Sequence, residues 1–224
     1  MKRASTTLVT LTLIAGPTGA SALPAQTTPA QTTPAQAALA ANSDIAHVSA
    51  YIRAVRTLTA DFSQTDRNGQ TLTGKLTLKQ PGRIRFQYQQ GVPLLIVGDG
   101  KSLTMIDYEV RQVQRWPIGS SPLGALIDPD RDIGRFSKII QTGDPRIVTV
   151  EARDPKRPEF GTITLVFNRN PAGPAGLELY GWVARDAQSN RTAVRLYNHA
   201  YGAAIPDSAF RWRDPRPMGR PPGK

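Results

Sequence analysis

The chain has 224 residues and no cysteine, which excludes disulfides, thiolate metal sites, a thiol nucleophile and a thioether lipid anchor. Its formal charge is +11, and a basic start and a basic end account for more than half of it, leaving about +5 on the body. That surplus suits an anionic surface or an acidic partner, and it suits plain solubility equally.

Residues 1–22 open with Lys2 and Arg3, run through an apolar stretch from Leu8 to Ala15, and close on Ala20-Ser21-Ala22. A positive start, a short apolar middle and a small-residue end read as a cleaved signal peptide, too short to span a bilayer. In a bacterium the remaining addresses are the periplasm or the medium. Residues 23–42 repeat Pro, Ala, Gln and Thr around Pro24, Pro29 and Pro34, with almost nothing large and apolar to bury. They are expected to form a flexible linker.

Ser43 or Asp44 caps a predicted helix in which Ile45, Val48, Ile52, Val55 and Leu58 recur at steps of three and four. The period then falls to two, with Leu58, Ala60 and Phe62 on one face, and Asp66-Arg67-Asn68-Gly69 reads as a hairpin turn. From Thr71 to Tyr88 the alternation is clearest. Leu72, Leu76 and Leu78 share one side, Pro81-Gly82 breaks the run, and Ile84, Phe86 and Tyr88 resume it opposite Arg83, Arg85 and Gln87.

Further strands are predicted at 94–97, 103–106, 110–116, 147–151, 162–167, 177–184, 192–198 and 210–213, with short helices at 122–127 and 133–140. Residues 214–224 form a basic, proline-rich tail expected to be disordered. About ten antiparallel strands present on the order of thirty apolar side chains on one face, while the helices supply about ten. The sheet is therefore expected to curl round the helices, leaving an apolar cavity suited to a greasy ligand.

Catalytic chemistry finds little support. His47 and His199 are the two imidazoles, and the sequence has no nucleophile elbow, phosphate loop, dinucleotide fingerprint or paired-histidine zinc helix. Asp128, Asp130 and Asp132 have the spacing of a calcium loop, but Ile133 and Ile139 occupy the positions that need Gly and Glu. No enzyme, cofactor or metal site is expected. Nucleic acid is not expected either, because alternation sets Arg83 and Arg85 on the face opposite Phe86 and Tyr88.

The ordered series Leu58-Thr-Ala-Asp-Phe-Ser-Gln64, Gly74-Lys75-Leu76, Pro81-Gly-Arg-Ile-Arg-Phe86, Asp99-Gly-Lys-Ser-Leu103, Ser121-Pro122-Leu123 and the late Phe210 resembles the outer-membrane lipoprotein carrier family, LolA, over roughly residues 43–213. The resemblance implies a mainly β fold, an incomplete, unclosed antiparallel β-barrel with an α-helical lid over an apolar cavity. It implies a monomeric periplasmic carrier that takes acylated lipoproteins from an ATP-driven, ABC-type exporter of the inner membrane to the outer membrane, in the family usually through a lipid-anchored receptor of the same fold. A lipid-sensing or envelope-stress binding domain on the same scaffold is the alternative.

On this resemblance the acyl chains are expected against Val55, Leu58, Phe62, Ile84, Phe86, Tyr88, Ile96 and Met105, and against Leu123, Leu126 and Ile127 of the lid. The family often has an arginine just before the Pro81 position that bonds to lid carbonyls, and this chain has Gln80 there. Glutamine keeps two donors but loses the charge, and charge-assisted bonds are about twice as strong. A looser lid is expected unless Arg83 or Arg85 reaches the same carbonyls.

Overall fold

A computed structural model describes residues 34–118, 123–128, 133–155 and 158–217. The expected signal peptide, residues 23–33 of the expected linker, the end of the tail, Ser121-Pro122 and most of the aspartate cluster lie outside the described residues.

Helix α1 (Pro34–Ala54) begins nine residues earlier than the periodicity predicts and ends before Val55. Its lead-in is rich in alanine, the best helix former, and proline is tolerated at a first helical position because no intrahelical partner awaits its missing N–H. The linker boundary expected at 42 is thus overtaken by helix. The early turns have little to bury, and Leu39 is 71% exposed. Only from Val48 onward does the helix press Val48, Tyr51 and Ile52 inward. Leu58, read both as the last helical position and as the first inward position of a strand, lies in the strand.

Eleven strands follow: β1 (Thr57–Thr65), β2 (Thr71–Lys79), β3 (Arg83–Tyr88), β4 (Leu94–Asp99), β5 (Ser102–Asp107), β6 (Gln112–Pro117), β7 (Ser137–Ile140), β8 (Ile147–Arg153), β9 (Thr162–Arg169), β10 (Leu177–Arg185) and β11 (Arg191–Tyr201). They form one antiparallel sheet in the order β6-β5-β4-β3-β2-β1-β11-β10-β9-β8-β7. Pairing of the first strand with the last puts β1 at the centre, and the two edges, β6 and β7, are neighbours in sequence but not in the ladder. The sheet is therefore not closed.

It is nevertheless tightly curved. Phe86 of β3 and Trp182 of β10 stand four strands apart, about 19 Å in a flat sheet. Their ring centroids are 6.1 Å apart. Opposed irregularities help the bend: the register shifts between Leu179 and Gly181 in β10 and between Thr59 and Asp61 in β1. There Asn198 adopts φ 56° and bonds to Asp61, while His199 stacks on Tyr201 and its Nε2 lies 2.8 Å from the Leu179 carbonyl. The second imidazole thus has a structural place in the sheet, whereas His47 is exposed.

Two predicted elements change class. Residues 133–140, predicted helical, form one 3-10 turn (Ile133–Arg135) and then β7, because Ile139 and Ile140 find ladder partners in Val150 and Thr149 of β8. Phe210 to Arg213, predicted as a strand, is the end of a 3-10 turn (Asp207–Phe210) followed by backbone that joins no ladder. This segment lies across the outside of the sheet, where Ile205, Ala209, Phe210 and Trp212 pack on Leu95, Val97, Ile106 and Val113.

Candidate functional site: the apolar interior and its lid

Alternation sends Leu58, Ala60 and Phe62 of β1, Leu76 and Leu78 of β2, and Ile84, Phe86 and Tyr88 of β3 to the inner face. The second half of the sheet adds Val148, Val150, Ile163, Leu165, Phe167, Leu179, Trp182 and Leu196 to the same cluster. Its centre is aromatic. The Phe62 ring stands 5.5 Å from Phe86 and 5.3 Å from Tyr88, both edge to face. Tyr51 of α1 meets Phe167 edge-on at 5.1 Å, and its hydroxyl is 3.1 Å from that of Tyr201.

Of the residues expected to contact acyl chains, Val55, Leu58, Phe62, Ile84, Phe86, Tyr88, Leu126 and Ile127 are buried in this cluster, and Ile96 and Leu123 pack against it partly buried. Met105 lies opposite Ile96 in the ladder and is half-buried. Tyr51, Phe167 and Trp182 belong to the same surface. Their alternation or helical spacing was visible in the sequence, but nothing local tied them to Phe86 across four strands.

The centre of this cluster is closely packed. Phe62, Ile84, Ile127, Leu165, Phe167 and Leu179 are each 0% exposed, so no water-sized void touches them. The aromatic side chains of α1 and β9, and all four residues of a short helix α2 (Gly124–Ile127), occupy the space. A separate cleft of about 390 Å³ lies outside the Gln80-Pro81 turn.

Helix α2 is held to the β2–β3 turn. The Gly82 N–H donates to the Ile127 carbonyl at 2.9 Å, and Gln80 Nε2 donates to the Leu126 carbonyl over a long 3.4 Å. Gly82 is at φ +67°, and a Cβ there would press on Gly100 across the turn, so the glycine is needed for both shape and space.

Arg83 and Arg85 do not reach the lid, which corrects their expected role in a latch. Alternation turns them outward, where Arg83 pairs with Asp207 at 2.5 Å and Arg85 donates to the carbonyls of Ala209 and Arg211. They fasten the C-terminal segment instead. Lys79 also bonds Asp207, at 2.7 Å, and together Lys79 and Arg83 hold the Asp207 carboxyl down at about 2.

The interior is hostile to charge. Burial pushes the Tyr88 hydroxyl up to about 12, against a partial downward pull from its bond to Gln64. Burial first, and the neighbouring Tyr201 next, raise Tyr51 well above the ordinary phenol value. Among the described residues no group of three or more His, Cys, Asp or Glu side chains is placed to hold a metal. No helix there is long and apolar enough to cross a membrane.

A curved, unclosed antiparallel sheet around an apolar interior, covered by a one-turn helix tied to a β-turn, defines an open-barrel protein with a lid. The chain belongs to the family described as outer membrane lipoprotein carrier protein LolA, whose profile matches residues 53–213. It is 31% identical over 189 residues to the outer-membrane lipoprotein carrier protein of Chromobacterium violaceum, covering 80% of this chain and 88% of that one. The protein of the same name from Xanthomonas campestris pv. campestris is 37% identical over 178 residues, covering 74% and 81%. A solved LolA superfamily protein from Nitrosomonas europaea superposes with a TM-score of 0.43 at 10% identity, covering 77% and 94%.

Proposed function

We propose that this protein is a periplasmic carrier that shelters the acyl chains of lipoproteins, taking them from an ABC-type exporter in the inner membrane and passing them to the outer membrane, directly or through a lipid-anchored receptor. The observation that carries the reading is the continuous apolar interior closed by α2 through two hydrogen bonds to one turn. Cargo enters when α2 lifts and hydrocarbon takes the place of Leu123, Leu126 and Ile127 against Ile84, Phe86 and Phe62.

The magnitudes favour this exchange. Exposing the three aliphatic side chains of the lid costs about 5 to 8 kcal/mol. Each methylene kept out of water is worth about 0.8 kcal/mol, so sheltering one acyl chain of about sixteen carbons from the aqueous phase more than offsets the opening. Closure strain then returns part of that energy on release, so the carrier itself needs no hydrolysis.

The test is mass spectrometry of the protein purified without detergent from periplasm. Acylated lipoprotein passengers are expected. Protein that emerges without acyl passengers, from cells whose lipoproteins remain correctly sorted after its depletion, would refute the reading.

A further inference from the structure

Two of the large apolar side chains left exposed stand on one turn, Tyr108 to Arg111, between β5 and β6: Val110 is 64% exposed and Tyr108 37%. The turn is well built. The Tyr108 N–H donates to the Pro93 carbonyl at 2.8 Å, and the Asp107 carboxylate accepts from the backbone N–H of Glu109 and of Val110. Asp107 is thereby directed into the turn, while Val110 points away from the protein.

The C-terminal segment arrives at the same place. Pinned by Arg83 and Arg85 further back, it leaves Arg213, Pro215, Arg216 and Pro217 beside Tyr108 and Arg111 around an open groove of about 880 Å³. Asp214 is held by Arg216 at 2.5 Å, so the acid of the groove is already neutralised. Neither Arg111 nor Arg213 meets a carboxylate among the described residues. Glu109 is the one further acid on the turn.

We infer that this corner of the molecule docks on the surface of a bilayer containing anionic lipid. A projecting valine and an interfacial tyrosine suit the headgroup layer, whereas a protein partner would need a pocket to receive them. The cations beside them supply attraction that depends on lipid charge and fades beyond a Debye length. The inference does not depend on what the interior carries.

The test is co-sedimentation of the protein, as the cell processes it, with vesicles of phosphatidylcholine alone or of phosphatidylcholine with phosphatidylglycerol. At low salt we expect at least tenfold stronger partitioning onto the anionic vesicles, and loss of that preference at high salt, at roughly fivefold per cation removed. Arg111→Glu with Arg213→Glu should abolish the preference, and Val110→Asp should weaken binding to both vesicle types, with thermal unfolding unchanged. Equal binding to neutral and anionic vesicles, no binding to either, or full competition by soluble glycerol phosphate would overturn the inference, and the salt series on the unaltered protein decides it without any variant.

Discussion

The side-chain amide of Gln80 donates to the main-chain oxygen of Leu126 at 3.4 Å, so a side chain of the β2–β3 turn reaches the lid. The neighbouring Gly82 N–H makes the shorter bond, 2.9 Å, to Ile127. Between this turn and α2 the described bonds are thus one good neutral bond and one long one. Since a charged donor is worth about twice a neutral one, Gln80→Arg should tighten closure and slow the release of bound lipoprotein to acceptor membranes. Unchanged release in a transfer assay would show that the turn does not govern the lid.

Phe62 is fully buried and its ring touches both Phe86 and Tyr88. Phe62→Ala removes the centre of the aromatic cluster and should destabilise the protein by about 3 to 5 kcal/mol in urea unfolding. A loss below about 1 kcal/mol would mean that the interior is not packed around this ring.

Gly74 in β2 lies opposite Tyr88, and a Cβ there would run into the Gln87 carbonyl oxygen and the Phe62 ring. Its φ is not the constraint, since the crowding is purely steric. Gly74→Ala should therefore push β2 and β3 apart and cost about 1 to 3 kcal/mol, with higher amide exchange in both strands. Gly91→Ala serves as the contrast, since nothing lies within 4 Å of a Cβ there although its φ is +87°. The cost at that turn is one of backbone strain, without the added exchange in β2 and β3.

Asp207 ties the C-terminal segment to Lys79 and Arg83, and its carboxyl is held down at about 2. A depressed carboxyl stabilises the folded arrangement fully above the unfolded value near 4 and loses that contribution as pH falls through about 2. Protection of the amides of residues 205–212, taken relative to unstructured amides at the same pH, should accordingly fall between about pH 4 and pH 2, and Asp207→Asn should show the lowered protection already at neutral pH and no further step. High salt should mimic part of the effect, because the pair is exposed.

The local rules of the chain set out much of this protein. Period-two alternation from Leu58 to Tyr88 named the inward residues Phe62, Ile84 and Phe86, because a strand leaves a side chain only two directions. The order of motifs carried the family. The alanines of residues 34–41 suit the early start of α1, but the repeated prolines led the segment to be read as linker.

What the tertiary structure decided are the relationships between distant segments. Pairing of β1 with β11 and the curl that brings Trp182 against Phe86 decide which inward residues meet across the interior, and no count of apolar residues fixes how far a sheet will bend. Ile139 and Ile140 became a strand because β8 offered partners, which overrides weak local preference. Arg83 and Arg85 were visible as outward residues, yet only the folded chain showed what lies outside them: the returning segment with Asp207, more than a hundred residues away, whose position depends on contacts that sequence neighbours do not encode.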